Sequence, residues 1–420
     1  MEQTPVFGEQ QLPALQNLDD NHLLKGFYRA QPLKIVSMEK HINRQSYLSE
    51  ADTLVVKVGS RVLSHPDGRL DTGRIAELAD QLTQIAAAGK KIVLVSSGAV
   101  AAGMAKLGID KRPVGLAQLQ AVASVGQAHL IQAYERNFAE HGRHAAQVLL
   151  IADDLDDRQR YLNVRNTLLS LLEMDVIPII NENDSVAVDE LLTTFGDNDR
   201  LAAMVSGLFS RPALVILSDV EGVFDKSPED ESATVISTIS KVNSSTLNLA
   251  CKAGSGMGKG GMASKLRAAK FVTQSGVPVI IAGGKKERVL TRLMSGEELG
   301  TFFLPNERPL APKKRWIGFT AQVTGKIQVD AGAAKAVTSG GTSLLAIGIT
   351  ATSGDFEKGD VVSISDASGG EIARGLTNYS SRELEQIKGL RSLAIPEILG
   401  HCPYEEVIHS DNMALMHITD

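Results

Sequence analysis

The sequence predicts an α/β protein: a three-layer αβα sandwich built on a mainly parallel sheet, followed by a small β-rich module of barrel type. Two observations carry this. Short runs of Val, Ile and Leu without polar alternation recur between longer amphipathic stretches, the pattern of strands covered on both faces and joined by right-handed helical crossovers. Beyond Trp316 the texture changes to β-branched runs separated by Gly-Gly, Ser-Gly and Lys-Gly pairs, which read as turns between short strands. A length of 420 residues against a prior of roughly 150 per domain agrees with two or three domains.

Element by element, Thr53–Val58, Lys91–Ser96, Asp175–Asn181, Ala213–Ser218 and Val277–Ala282 read as buried strands, with helices between them that include one over Arg200–Phe209. In the module, Lys326–Val329, Ser343–Ile347 and Val361–Ile364 read as strands. Pro305, Pro309 and Pro312, followed by Lys313, Lys314 and Arg315, mark a linker over residues 307–315. The α/β domain therefore spans residues 51–306 and the β-rich module residues 316–400, with a tail at 401–420. Residues 1–50 form an extension of mixed charge, with one or two short helices within Pro5–Lys25 and no assigned role.

Composition narrows the class. With 43% hydrophobic residues, 22% charged residues and a net charge of −6, the chain is globular rather than disordered or collagen-like. The two cysteines, Cys251 and Cys402, are too few and too far apart for a disulfide framework or a cysteine-rich zinc site, which points to a reducing cytoplasm. No run approaches the ~18 apolar residues of a membrane span, and Met1–Glu50 lacks the basic start and apolar core of a signal peptide. The expectation is a cytoplasmic protein with no membrane association. His129, His141 and His144 read as ordinary helix or loop residues, and no Cys/His spacing suggests a metal centre, so no residue is assigned to a metal.

The polar motifs converge on one edge of the predicted sheet. In an open parallel sheet, ligands bind beyond the carboxyl ends of the strands, where the following helices point their positive N-termini. Lys57-Val58-Gly59-Ser60, Ser96-Ser97-Gly98, Asn181-Glu182-Asn183-Asp184 and Ser218-Asp219 all terminate strands at that edge. Random placement would scatter such residues over both edges. Lys57 lies in an otherwise apolar strand, where an ammonium must reach water or meet an anion. Ser97 alone reads equally well as part of an ordinary helix-capping turn. Gly196-Asp197-Asn198-Asp199 opens a helix for which one capping residue would suffice; with Asp184, its carboxylates could hold a basic pair, receive a substrate ammonium or approach magnesium. The glycine-rich stretch from Gly254 to Lys265 carries Lys259 and Lys265 at a helix start and can wrap phosphates. It matches neither the Gly-x4-Gly-Lys-Ser/Thr phosphate loop nor, for want of a preceding strand, the dinucleotide fingerprint.

Taken as a set, Val-Val-Lys57-Val-Gly59, Val-Ser-Ser97-Gly-Ala, Ile-Asn-Glu-Asn-Asp184, Gly-Asp197-Asn198-Asp199, Ser218-Asp219 and Gly-Gly-Met-Ala-Ser-Lys265 resemble the amino-acid kinase family, nearest to its glutamate-phosphorylating members. The stretch from Lys-Arg-Trp-Ile317 through Lys-Gly-Asp-Val-Val362 resembles the PUA domain. The resemblance runs from Thr53 to about Leu399. It implies transfer of the ATP γ-phosphoryl group to the side-chain carboxylate of L-glutamate, with Mg2+, as the first step of proline biosynthesis. By the same resemblance Lys57 and Lys265 supply positive charge and Asp199 orients both; Ser97, Asp184, Asp197 and Asn198 hold glutamate; and Lys57, Ser218, Asp219, Lys259, Gly260, Gly261, Met262, Ala263, Ser264 and Lys265 hold ATP. It further implies a homo-oligomer (dimer or tetramer), inhibition by L-proline, and channelling to a glutamyl phosphate reductase. RNA binding by the PUA-like domain is weakened by its charge: residues from Trp316 to Asp420 carry 7 Lys/Arg against 13 Asp/Glu, the wrong sign for neutralising phosphates. Two features depart from the family pattern, the extension before Ala51 and Lys259, where a neutral residue is common.

Overall fold

A computed structural model describes residues 44–187, 198–244, 246, 247, 249, 261–307, 309–402 and 404–416. Among these, eight strands form one sheet: β1 (Thr53–Val58), β2 (Lys91–Ser96), β3 (His144–Leu150), β4 (Val176–Glu182), β5 (Pro212–Ser218), β6 (Thr238–Ile239), β7 (Val279–Gly283) and β8 (Thr301–Phe303). Their order is β3-β4-β2-β1-β5-β7-β8-β6, and every neighbouring pair is parallel except β7–β8. The expected mainly parallel sheet is therefore present. The bounds read from sequence for β1 and β2 coincide with the structure: all six residues of β1 are buried, and in β2 only Lys91 at its start is exposed.

Side-chain alternation along the central strands divides the core into two layers. Leu54, Val56 and Val58 face one cluster, packed by helices α2 (Thr72–Ala87), α4 (Leu116–Glu140) and α8 (Val289–Met294). Val55, Val93 and Val95 face the other, packed by α5 (Arg158–Glu173), α6 (Asn198–Ser206) and α7 (Met262–Gln274). Lys57 shares the parity of Val55, so its side chain belongs to the α6–α7 side. That register decides which helices can meet it.

Helix starts follow from local capping. The Asp71 carboxylate accepts from the Arg74 amide at 2.9 Å and begins α2, and Asp157 accepts from Arg160 at 2.8 Å to begin α5. The remaining short helix of the sheet face, α3 (Ala99–Leu107), starts instead at Gly98, whose φ of 109° turns the chain directly off β2. α3 and α4 then approach closely. A Cβ on Gly126 would lie 1.7 Å from the Ala99 carbonyl oxygen, and one on Gly103 1.9 Å from that of Val122. This pair of glycines lets two backbones touch and sets the height of the α3 N-terminus over the strand ends.

Several expectations are corrected. His144 is neither in a helix nor in a loop: it opens β3, an edge strand whose partly exposed HAAQVLL pattern lacks the continuous apolar run of its neighbours. Residues 44–50, placed in the extension, form helix α1 (Arg44–Glu50) against the domain: Leu48 is buried and Tyr47 packs on Phe302 with ring centroids 5.5 Å apart. The Pro5–Lys25 helices lie outside the described residues.

The C-terminal module has a five-stranded sheet ordered β10-β9-β11-β12-β13, with β9 (Val323–Val329), β10 (Ile349–Gly354), β11 (Val361–Ser365), β12 (Glu371–Leu376) and β13 (Met413–Leu415). The expected strand at Ser343–Ile347 contributes only a single bridge between Leu344 and Ile408 before a 3-10 turn at Ala346–Gly348. Nor is the segment beyond residue 400 a loose tail: Val407, Ile408 and Met413 enter the module core, and β13 pairs with β12. Within the expected linker, Pro312–Arg315 is a helical turn and both Pro312 and Arg315 are buried. No helix among the described residues is long and apolar enough to cross a membrane.

The α3–α4 contact supplies a first test. Gly126→Ala should lower the unfolding free energy by about 1–3 kcal/mol, the cost of forcing a methyl group against backbone. Urea titration should show a lower midpoint at an unchanged slope, since the surface exposed on unfolding is the same.

Candidate active site

The carboxyl ends of β1, β2, β4 and β5 lie side by side, with Val58 opposite both Ser96 and Leu217 in register. From this edge Lys57 projects toward α6 and α7. Asp199, in the first turn of α6 and 0% exposed, receives Lys57 Nζ on Oδ1 at 2.6 Å and Lys265 Nζ on Oδ2 at 3.1 Å. Three elements distant in sequence thus meet on one carboxylate. Burial opposes ionisation of Asp199, but the two ammonium groups overcome it and hold the carboxyl below its ordinary range. Together the three side chains carry one more positive charge than negative, buried at the mouth of the sheet. Such a cluster stabilises an anion brought to it.

Beside it, Asn198 bridges two strand ends. Its Nδ2 donates to Ser97 Oγ at 2.9 Å and to Asn181 Oδ1 at 3.0 Å, which fixes the amide orientation. The Asn198 Oδ1 is buried and has no hydrogen-bond partner among the described residues. A buried acceptor without a donor is costly, so this atom suits a ligand N–H. Because Ser97 Oγ accepts from Asn198, its own proton can serve an anionic group. Asp184 is also buried, and Gln127 on α4 holds the corner: its Nε2 donates to the Glu182 carbonyl at 3.2 Å and to Asp184 Oδ2 at 3.4 Å. This side of the pocket therefore presents a carboxylate, an amide oxygen and a hydroxyl.

On the opposite side, beyond β5, Ser218 Oγ donates to Asp219 Oδ1 at 3.1 Å, and Arg61 Nη1 meets Asp219 Oδ2 at 2.9 Å. Partial burial opposes its charge, yet the Arg61 and Ser218 bonds hold the Asp219 carboxyl below its usual range. Helix α7 begins after Gly261 with no side-chain cap among the described residues; Met262, Ala263, Ser264 and Lys265 form its first turn, and the positive end of the helix dipole there favours an anion.

The structure thus brings together Lys57, Ser97, Asp184, Asn198, Asp199, Ser218, Asp219, Lys265 and the Gly261–Ser264 turn at one sheet edge. Asp197, Lys259 and Gly260 lie outside the described residues. Sequence reasoning misses Asn181 and Gln127. Asn181 stands inside a recognisable motif without a role of its own, and Gln127 gives no signal beyond being polar on a helix otherwise apolar on that face. Among the described residues no group of three or more His, Cys, Asp and Glu could hold a metal ion by itself.

A buried cationic pair on a shared carboxylate, flanked by acidic and amide side chains on one side and by the start of α7 on the other, is suited to stabilising a negatively charged group. Comparison with known proteins agrees. Residues 52–283 match the amino acid kinase family and residues 325–399 the PUA domain. The chain is similar to glutamate 5-kinase of Rhodopirellula baltica, 48% identical over 89% of this chain and 96% of that protein. It is also similar to the glutamate 5-kinases of Caldanaerobacter subterraneus subsp. tengcongensis (46% identical, 86% of this chain and 97% of that protein) and Chromohalobacter salexigens (45% identical, 88% and 97%). The chain belongs to the amino acid kinase family, within its glutamate 5-kinase group.

The shared carboxylate supplies the second test. Asp199→Asn removes the negative charge that the two buried ammonium groups share and should cost about 3–5 kcal/mol. The sign of its pH dependence is fixed by the depressed folded-state pKa: the stabilisation is fully present above the unfolded carboxyl value and is lost as pH falls through the folded one. Unfolding curves of parent and variant should therefore differ most near neutral pH and converge under acid conditions.

Proposed function

We propose that the enzyme transfers the γ-phosphoryl group of ATP to the side-chain carboxylate of L-glutamate, giving L-glutamyl 5-phosphate and ADP in the first step of proline biosynthesis. The observation that carries this reading is the Lys57–Asp199–Lys265 cluster at the carboxyl edge of the sheet, 2.6 and 3.1 Å across its two ion pairs. A phosphoryl group in transfer spreads negative charge over its equatorial oxygens and needs little covalent help, so catalysis is positioning plus cationic stabilisation. Lys57 and Lys265 supply the charge. Asp199 keeps both ammonium groups pointed at one place, and so removes the reorganisation that free lysine side chains would require.

Glutamate has an α-ammonium group and two carboxylates. The Asp184 carboxylate and the Asn198 Oδ1 suit the ammonium group and Ser97 Oγ suits the α-carboxylate; Asp197 is assigned to glutamate by the family resemblance alone. The acceptor carboxylate is then left facing the lysines. ATP lies along Ser218, Asp219 and the residues Lys259, Gly260, Gly261, Met262, Ala263 and Ser264, with its phosphates at the start of α7. Magnesium would accompany the nucleotide and neutralise phosphate charge when bound, held mainly by phosphate oxygens and water. We place the enzyme in the cytoplasm, in keeping with its two distant cysteines. We also assign to it assembly as a homo-oligomer and delivery of its product to a glutamyl phosphate reductase.

A coupled ADP-release assay with and without L-glutamate tests the reaction. In it, Lys57→Ala and Lys265→Ala should each reduce kcat by at least about a hundredfold, a loss of the size seen when one preorganised donor is removed. Asp184→Asn should instead raise the KM for glutamate more than that for ATP. Near-normal turnover in either lysine variant would remove the proposed roles.

L-proline has the ammonium and α-carboxylate groups of glutamate without the acceptor carboxylate, so the Ser97, Asp184 and Asn198 end can hold it without transfer. Inhibition by proline is the corresponding proposal. Isothermal titration should show proline binding weakened by saturating glutamate, and glutamate binding weakened by the same factor in the reciprocal titration. Proline binding indifferent to glutamate would argue for a separate site or none.

A further inference from the structure

The domain junction holds a buried guanidinium that neither the sheet nor the module core requires. Arg315 is 3% exposed. Its Nη1 donates to the Phe209 carbonyl at 2.7 Å, its Nη2 to the Ser210 carbonyl at 3.3 Å and its Nε to the Ser275 carbonyl at 3.3 Å. Phe209 and Ser210 follow the C-terminus of α6, and Ser275 ends α7. These are the two helices whose first turns carry Asp199 and Lys265. Asp199 stands ten residues before Phe209, and Lys265 ten before Ser275. One planar fork therefore joins the end of α7 to the turn that follows α6, the two helices whose near ends must meet.

We propose that Arg315 is a positioning residue of the phosphoryl-transfer site, holding α6 and α7 in the mutual register that brings Lys57, Asp199 and Lys265 together.

The Ser275 carbonyl at the end of α7 and the Phe209 and Ser210 carbonyls in the turn after α6 have no intrahelical partner, and the α7 C-terminus carries partial negative charge, so a buried cation there is both satisfied and satisfying. Helices transmit displacement as rods. In α7 the ten residues from Lys265 to Ser275 make a lever of about 15 Å at a rise of about 1.5 Å per residue, and a tilt of about 4° moves its far end by about 1 Å; α6 ends at Ser206, and its helical lever from Asp199 is about 10 Å. A misplacement of that size at a reacting centre costs about a hundredfold in rate. Arginine is required because its donors diverge in one plane and can reach separate carbonyls on two elements; a lysine ammonium is a point donor on a flexible stem.

The surroundings hold the guanidinium still. Trp316, the next residue, donates its indole N–H to the Leu155 carbonyl at 2.9 Å and packs on Tyr161 with ring centroids 5.7 Å apart. Phe319 meets Phe271 of α7 edge-on at 5.8 Å. Arg165 donates to the Leu208 carbonyl at 3.1 Å, steadying α6 from α5. Trp316 and Ile317 belong to the same apolar cluster as α6 and α7, together with Val361, Leu376 and Ala414 of the module.

The inference rests on the reaction proposed above, and the experiment separates the two. In the full chain, ADP release by the parent must depend on glutamate; if it does not, the reaction assignment fails whatever the variants do. Given that activity, Arg315→Lys should lower kcat about tenfold or more while leaving the KM for ATP and for glutamate within about twofold. Arg315→Ala should lower kcat further, and millimolar methylguanidinium should restore part of it. Ile364→Ala, which empties part of the module core without touching either helix, controls for lost stability: it should lower the unfolding temperature at least as much as Arg315→Lys and keep kcat within twofold. Turnover within twofold of the parent in Arg315→Lys would overturn the proposal. So would an equal loss of kcat in Ile364→Ala, or failure of both Arg315 variants to fold, either of which would assign the residue to stability alone.

Discussion

The structure depends on one buried carboxylate shared by two lysines. An isolated ammonium inside an apolar strand would be intolerable, and so would a fully buried aspartate; each becomes acceptable only when the other is brought within hydrogen-bonding distance. Lys57 comes from a strand, Asp199 from a helix start far along the chain, and Lys265 from a helix that follows a glycine-rich stretch. No local segment can satisfy any of them. The folded sheet, with its helices in register on the correct face, is the condition under which the charges cease to be a liability. The net positive charge that remains is what makes the cluster useful to an anionic substrate.

That condition explains why side-chain parity in β1 matters more than its composition. Leu54, Val56 and Val58 serve the α2–α4–α8 layer, whereas Val55 and Lys57 serve the α5–α6–α7 layer. A slip of one residue would turn Lys57 into the apolar layer packed by α2, away from Asp199. The neighbouring strands oppose such a slip because Leu54 to Lys57 sit opposite apolar partners on both sides, Ile92 to Val95 in β2 and Ala213 to Ile216 in β5. The same packing that stabilises the sheet thus aims the lysine.

Much of this arrangement is legible in the amino-acid sequence. The central strands stand out as runs rich in Val, Ile and Leu, and in a parallel sheet their carboxyl ends must lie on one edge, so Lys57, Ser97, Asp184, Ser218 and Asp219 group together without a single distance. The family resemblance adds Asn198 and Asp199 to that group. What sequence does not supply is pairing. Nothing local says that Asn198 donates to Asn181 as well as Ser97, or that Gln127 from a helix bound on the other side reaches Asp184. β3 escapes a search for apolar runs because an edge strand with one wetter face does not need one. The segment after residue 400 reads as a tail because its few apolar residues are scattered, and only the module core collects Val407, Ile408 and Met413.

The junction between the two domains is deceptive for a related reason. Three prolines followed by Lys313, Lys314 and Arg315 carry the composition of a tether, and composition cannot distinguish a charge that faces water from one that faces carbonyls. Lys313 and Lys314 contact the module near its end through Asn412 and Ser410, while Arg315, one residue on, turns inward. Its burial is tolerable because backbone carbonyls at the end of α7 and in the turn after α6 accept from it. The same apolar cluster then continues from α6 and α7 through Trp316 and Ile317 to Val361 and Leu376. Two segments whose internal patterns announce separate domains consequently share one layer of core. Relative motion at this boundary would have to expose Trp316 and strip a guanidinium of its partners, so the junction behaves as part of the catalytic domain rather than as a hinge.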